Sequence, residues 1–263
     1  MIAETIGVGL AVGLILGLTG AGGSIFAVPL YIVLLSLSVN DAMGLALGAV
    51  SVAALTGVWL RNNSRDLAWH PGLMLALSGM LTAPAGRWLG SQIDEKFLLS
   101  GFALLAIGLA LRMWHQAGSS QATRQANPYR DTDMADTARK SWSKTSSLLL
   151  TGSLAGLLSG LFGVGGGFLI VPLLTLQLGM EIRRAIGTSL IVVALVSATG
   201  FAFHLLAVAE VPLGILGYSS LGSVIGIIAG TLLARGFSGP RLQKLFALGV
   251  IGLMAVTLSK IQT

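Results

Sequence analysis

The sequence predicts an all-α polytopic membrane protein of about ten apolar helical segments, arranged as two inverted five-segment repeats. Three observations carry this. Only 10% of the 263 residues are charged and 54% are hydrophobic, whereas a soluble domain carries about 25% charged residues. Apolar runs recur near the ~20 residues needed to cross about 30 Å of hydrocarbon. A glycine–proline stretch near the N-terminus returns in the second half of the chain.

Taken in order, segment 1 covers 3–19. It carries Glu4 but no Lys or Arg before its apolar run, so it lacks the basic start of a signal peptide and reads as a retained helix. Segment 2 (23–38) is short and contains Pro29, so it is a candidate for a tilted, kinked or re-entrant piece. Segments 3, 4 and 5 (42–60, 71–91 and 96–113) are long enough to span. The stretch 114–143 is polar and nearly free of aliphatic residues, the composition of a flexible loop that buries no core. Segment 6 (145–162) restarts the pattern. Segment 7 (166–180) is short and holds Pro172, like segment 2. Segments 8, 9 and 10 are 185–205, 211–234 and 241–260. All are expected to be helical, because lipid offers backbone groups no partners. The division is thus 1–113, the polar loop 114–143, and 144–263.

The two halves superimpose in sequence. Moving GLTGAGGSIFAVPL (17–30) on by 143 residues places it on GLFGVGGGFLIVPL (160–173), with eight identical positions including Gly20/Gly163, Gly22/Gly165, Gly23/Gly166 and Pro29/Pro172. The same displacement pairs Gly9 with Gly152, Gly13 with Gly156, Gly44 with Gly187 and Gly57 with Gly200; later in the repeat 144 fits better, pairing Gly86 with Gly230. One displacement serving several segments indicates duplication. Five segments per half is an odd number, so the second half enters the membrane upside down. A re-entrant hairpin would remove two crossings and leave the parity odd.

Charge tests the orientation. With 114–143 cytoplasmic, all of the 16 Lys and Arg except Arg87, Lys96 and Lys260 fall on the cytoplasmic side. That is a positive-inside pattern, with both termini outside. The net charge of +6 is therefore a sign of membrane orientation and not of nucleic-acid binding. The expected setting is a bacterial inner membrane, with the lipid bilayer and a small anionic substrate as partners.

The doubled motif is the main candidate site. Glycine lets a backbone turn at positive φ and approach a ligand closely. The first amides of a following helix are unpaired and attract an anion. Gly20, Gly22, Gly23 and Ser24, with Gly163, Gly165, Gly166 and Gly167, are the candidate backbone donors; Pro29 and Pro172 are structural. A single glycine cluster would be a packing device, and its recurrence in inverted halves raises the prospect of one shared anion site. Thr188 and Ser189 could add hydroxyl donors or bond back to their own helix. Thr56 and Thr199 pose the same question more weakly. The stripes Gly9/Gly13/Gly17 and Gly152/Gly156/Gly160 have four-residue spacing, which suits close helix packing.

Ionisable residues at membrane depth usually mark function, and this chain has almost none. Arg87 and His204 are candidate contacts at an outer mouth; the plainer alternative for both is snorkelling or anchoring at the interface. The lack of buried carboxylates argues against a carboxylate proton relay. There is no HExxH, GxSxG or Walker A motif and no Cys, and the three His are scattered. The residues do not point to an enzyme, a metal site or a cofactor.

GLTGAGGSIFAVPL and GLFGVGGGFLIVPL, followed by AIGTSLIVV (185–193), resemble the sulfite exporter TauE/SafE family of membrane permeases, and the resemblance covers nearly the whole chain. It implies movement of sulfite, sulfoacetate or related small sulfur-containing or organic anions, usually outward. The first half departs from the doubled pattern, with Ser24 where the second has Gly167 and GLAL where the second has GTSL. The expectation is a secondary carrier for a small anion. An anion channel or an uptake permease shares the same features, and a non-transporting scaffold whose polar loop recruits a partner is a third alternative.

Overall fold

Small residues decide which helices become neighbours. The computed structural model describes residues 2–62, 66–119, 137–163, 182–207 and 212–234, together with 170, 171, 174, 180 and 252. Within them the order is α1 (Ile2–Thr19), a 3-10 helix (Gly20–Phe26), α2 (Ala27–Leu35), α3 (Val39–Arg61), α4 (Trp69–Ser91), α5 (Glu95–Ser119), α6 (Thr137–Phe162), α7 (Ile182–Ala207) and α8 (Leu213–Ala234).

α1 lies against α8. A β-carbon on Gly9 or Gly13 would overlap the carbonyls of Ser219 and Ser223, and one on Gly17 would sit 2.7 Å from the Ile227 carbonyl oxygen. α8 reciprocates with Gly222, Gly226 and Gly230 against the carbonyls of Ile6, Leu10 and Leu14. α6 lies against α4 in the same way. Gly152, Gly156 and Gly160 meet the carbonyls of Leu75, Gly79 and Ala83, and Gly90 of α4 would bring a β-carbon 2.8 Å from the Leu161 carbonyl oxygen. Lipid tails supply no hydrophobic drive between helices, so bare backbone-to-backbone contact is what holds such pairs. The contacts correspond position by position: 143 added to the α1 glycines gives those of α6, and 144 subtracted from Ser219, Ser223 and Ile227 gives Leu75, Gly79 and Ala83.

α3 and α7 cross antiparallel at the centre. Gly44 faces His204, a β-carbon on Gly48 would lie 3.1 Å from the Phe201 ring, and one on Gly57 would lie 3.0 Å from Leu190. Gly200 would meet Leu47 at 3.2 Å, the counterpart of the Gly57–Leu190 contact under the same displacement. The apolar window of α3 is 67% buried against 39% for α1 and for α8, which puts α3 inside and those two at the periphery.

Among the described residues four helices are long and apolar enough to cross a membrane, within Ile2–Thr19, Val39–Arg61, Arg183–Ala207 and Gly214–Ala234; shorter apolar helices cover Ser24–Leu35, Lys96–Gly108 and Leu148–Phe162. The outside is apolar: Leu81, Leu104 and Leu206 are largely exposed. Trp59, Trp69 and Trp88 are exposed near helix ends, where indole rings favour a membrane interface. This is an all-helical polytopic membrane protein.

Two boundaries differ from the sequence expectation. α5 continues to Ser119 and α6 begins at Thr137, so helix reaches into both sides of the polar stretch 114–143. Its Ala, Arg, Lys and Gln are good helix formers. Segment 2 divides: the glycine run is itself a 3-10 helix, and only Ala27–Leu35 is α-helical. Pro29 falls in the first turn of α2, where a missing N–H costs least. Segments 7 and 10, apart from isolated residues, lie outside the described residues, as does Pro172.

Candidate functional site

Each glycine motif opens with a left-handed residue. Gly20 has φ 69° and Gly163 has φ 67°, a conformation glycine adopts without a β-carbon penalty. Gly163 N–H donates to the Ser159 carbonyl at 2.8 Å, closing the end of α6. The turns seat on different helices. A β-carbon on Gly20 would lie 2.9 Å from the Ile186 side chain and 3.0 Å from Ser189 Oγ; one on Gly163 would strike Met43. Ile186 and Met43 themselves correspond under the 143-residue displacement.

The structure does not bring Gly20 and Gly163 together. Gly20 sits at the Ile186 end of α7. Gly163 sits on Met43, next to Gly44 and therefore at the His204 end. Those ends are about 27 Å apart at 1.5 Å of rise per residue. Gly22, Gly23 and Ser24 continue from Gly20 along the 3-10 helix, with Ser24 fully buried and its carbonyl accepting from the Ala27 N–H. Gly165, Gly166 and Gly167 lie outside the described residues.

The Gly163 end holds a cation. Arg87, on α4, is partly buried. Its guanidinium donates to Asn40 Oδ1, to Met43 Sδ at 3.5 Å and to His204 Nδ1 at 3.1 Å. Arginine can only donate, so Nδ1 accepts and His204 is the neutral Nε2–H tautomer. None of these three partners is a carboxylate. Asp41, nearby on α3, accepts from Ser38 Oγ at 2.7 Å, while its own N–H is capped by that hydroxyl at 3.1 Å. His204 is 2% exposed and lies over Gly44, where any β-carbon would overlap the ring. Interfacial anchoring therefore does not describe it. Its ring faces the helix interior because Gly44 leaves room there and Arg87 supplies a donor.

The Gly20 end holds Arg61, buried in the last turn of α3, whose Nη2 donates to the Gly17 carbonyl at 3.1 Å. Thr188 and Ser189 are at this end and fully buried. Thr188 Oγ1 accepts from the Ala68 N–H at 3.0 Å, tying α7 to the residues that precede α4. Ser189 Oγ donates back to the Ile186 carbonyl at 2.7 Å. Both hydroxyls thus have structural work in this conformation. Thr56 and Thr199 also bond back to their own helices, to the Val52 and Leu195 carbonyls at 2.9 Å.

Sequence reasoning passed over Asn40, Thr231 and the burial of Arg61, which it counted toward the charge bias and matched to His204 at 143 without giving it a role. The remaining signal was the displacement of 144, which pairs Thr231 with Arg87.

Apolar helices packed through glycine, with arginines set between them, define a polytopic membrane protein. The sulfite exporter TauE/SafE family model matches residues 5–258, and the chain belongs to that family. It is 35% identical over 253 residues to a probable membrane transporter protein of Xylella fastidiosa strain Temecula1, covering 94% of this chain and 91% of the relative. A probable membrane transporter protein of Haemophilus influenzae is 29% identical, over 84% and 81% of the two chains. One from Methanocaldococcus jannaschii is 24% identical, over 81% and 76%. No solved structure matches the chain.

Proposed function

We propose that the protein is a secondary carrier that exports a small anion, a sulfur-containing oxyanion or organosulfonate such as sulfite or sulfoacetate, by alternating access between two inverted halves. The observation that carries this is Arg87. It is a guanidinium set between α3, α4 and α7 whose partners are Asn40, Met43 and His204 and include no carboxylate. A guanidinium partly withdrawn from water and bonded to no carboxylate is costly, and an arriving anion supplies a bonded counter-charge. The planar fork of arginine suits two oxygens of a sulfite or sulfonate, as it suits carboxylate and phosphate. The matched contacts of α1 on α8 and of α6 on α4 support the inverted halves, the architecture in which such carriers rock around a central site. The charge pattern supports a cytoplasmic 114–143 and external termini, and with them an Arg87 that faces the outside.

The test is radiolabelled sulfite counterflow in proteoliposomes. Unlabelled sulfite inside should accelerate uptake of label, and Arg87→Gln should raise KM about tenfold, the loss of one charged hydrogen-bonding contact. Ohmic anion current without counterflow would contradict a carrier.

A further inference from the structure

We infer that Arg61 and Thr231 form a second contact station for the same anion, at the end of the α3–α7 pair opposite Arg87 and His204. The inference rests on the transport function proposed above and adds where the anion is met on the other face.

Three observations converge on Gly17. Arg61 Nη2 donates to its carbonyl at 3.1 Å. A β-carbon on Gly17 would lie 2.8 Å from the Thr231 backbone nitrogen, so α8 is pressed onto this turn of α1 at Thr231. Thr231 is 8% exposed, and its Oγ1 is buried without a hydrogen-bond partner. A buried hydroxyl left unpaired is destabilising and takes a water or a ligand as its partner. Of the hydroxyls so placed, those of Ser159, Ser197, Ser223 and Thr231, that of Thr231 belongs to the residue packed on Gly17, whose carbonyl Arg61 bonds. An arginine that merely capped the last carbonyls of α1 would account for the Gly17 contact. It would leave the Thr231 hydroxyl unexplained.

The other end gives the pattern. A β-carbon on Gly160 would lie 2.7 Å from the Arg87 backbone nitrogen, just as Gly17 approaches Thr231. Positions 61 and 204 correspond at 143, and positions 231 and 87 at 144. Each end therefore carries one arginine and one further hydrogen-bonding side chain, with the arginine exchanged between the two positions: His204 with Arg87, Arg61 with Thr231. Each also holds a left-handed glycine, Gly163 or Gly20. At one end the guanidinium of Arg87 bonds its neighbour directly; at the other, Arg61 and Thr231 are linked through Gly17. An oxyanion matches this second pair, taking charge-assisted bonds from Arg61 and a hydroxyl donor from Thr231. A carrier that opens alternately to each face presents one such group at each mouth on the way to its central site.

The experiment measures radiolabelled sulfite KM from each face, in right-side-out and inside-out vesicles. Arg61→Gln should raise KM about tenfold on its own face and leave the Arg87 face near wild type, while Arg87→Gln does the reverse. Thr231→Val separates site from scaffold: removing an unpaired hydroxyl should leave Tm unchanged or higher, yet raise KM about threefold on the Arg61 face. Wild-type KM in Thr231→Val on both faces, with Arg61→Gln losing only Tm, would overturn the second station while Arg87→Gln still acts. Absence of sulfite flux in the wild type would instead overturn the proposed function, and this station with it.

Discussion

The guanidinium of Arg87, on α4, lies 3.1 Å from Nδ1 of His204, on α7, and the ring can reach that position only because residue 44 of α3 is glycine. Three helices meet through that one contact. Gly44→Val would expel the His204 ring and force the pair apart. Overpacking of this kind costs about 1–3 kcal/mol. Thermal unfolding of the purified variant in detergent should show a lowered Tm, with sulfite flux falling further than stability alone explains.

The glycine ridges should behave as equivalents. Gly13 faces the Ser223 carbonyl and Gly156 the Gly79 carbonyl, so Gly13→Leu and Gly156→Leu each push a helix pair apart. Both variants are expected to lose the monodisperse folded peak on size-exclusion chromatography, while leucine at Gly7, which has open space around it, leaves that peak intact.

Those ridges were legible because their cause is local. Four-residue glycine spacing suits close helix approach, and the duplication presents the stripe twice; which helices it would meet was not encoded in it. The left-handed turns at Gly20 and Gly163 were legible for the same reason. Where the turns sit relative to each other was not. That depends on α3 and α7 crossing antiparallel, so the two motifs seat on opposite ends of the crossing, and no local pattern encodes such an arrangement. Arg61 was hidden differently. A basic residue at a helix end satisfies the positive-inside bias whether it faces water or the interior, and only packing against Gly17 distinguishes the two.

Thr188 should act through the fold. Its Oγ1 accepts the Ala68 N–H at 3.0 Å, so Thr188→Val strands a buried donor at a cost of about 1–3 kcal/mol. Thr188→Ser keeps the acceptor. Tm should fall in the first variant and recover in the second.

Tyr31 and Ser219 form a buried hydroxyl pair linking α2 to α8. Their counterparts at 143 and 144 are Leu174 and Leu75, both buried apolar residues. Tyr31→Phe or Ser219→Ala alone leaves one hydroxyl unpaired, whereas the double variant leaves none. A double-mutant cycle read by Tm should therefore show the combined loss smaller than the sum of the single losses, with a coupling of about 0.5–3 kcal/mol.

The most direct test of an anion carrier built around Arg87 is sulfite counterflow with wild type and Arg87→Gln compared in the same proteoliposomes. Trans-accelerated uptake in the wild type, with KM raised about tenfold in the folded variant, is the predicted result. Equal KM in both proteins, with Arg87→Gln folded and fully active, would contradict it.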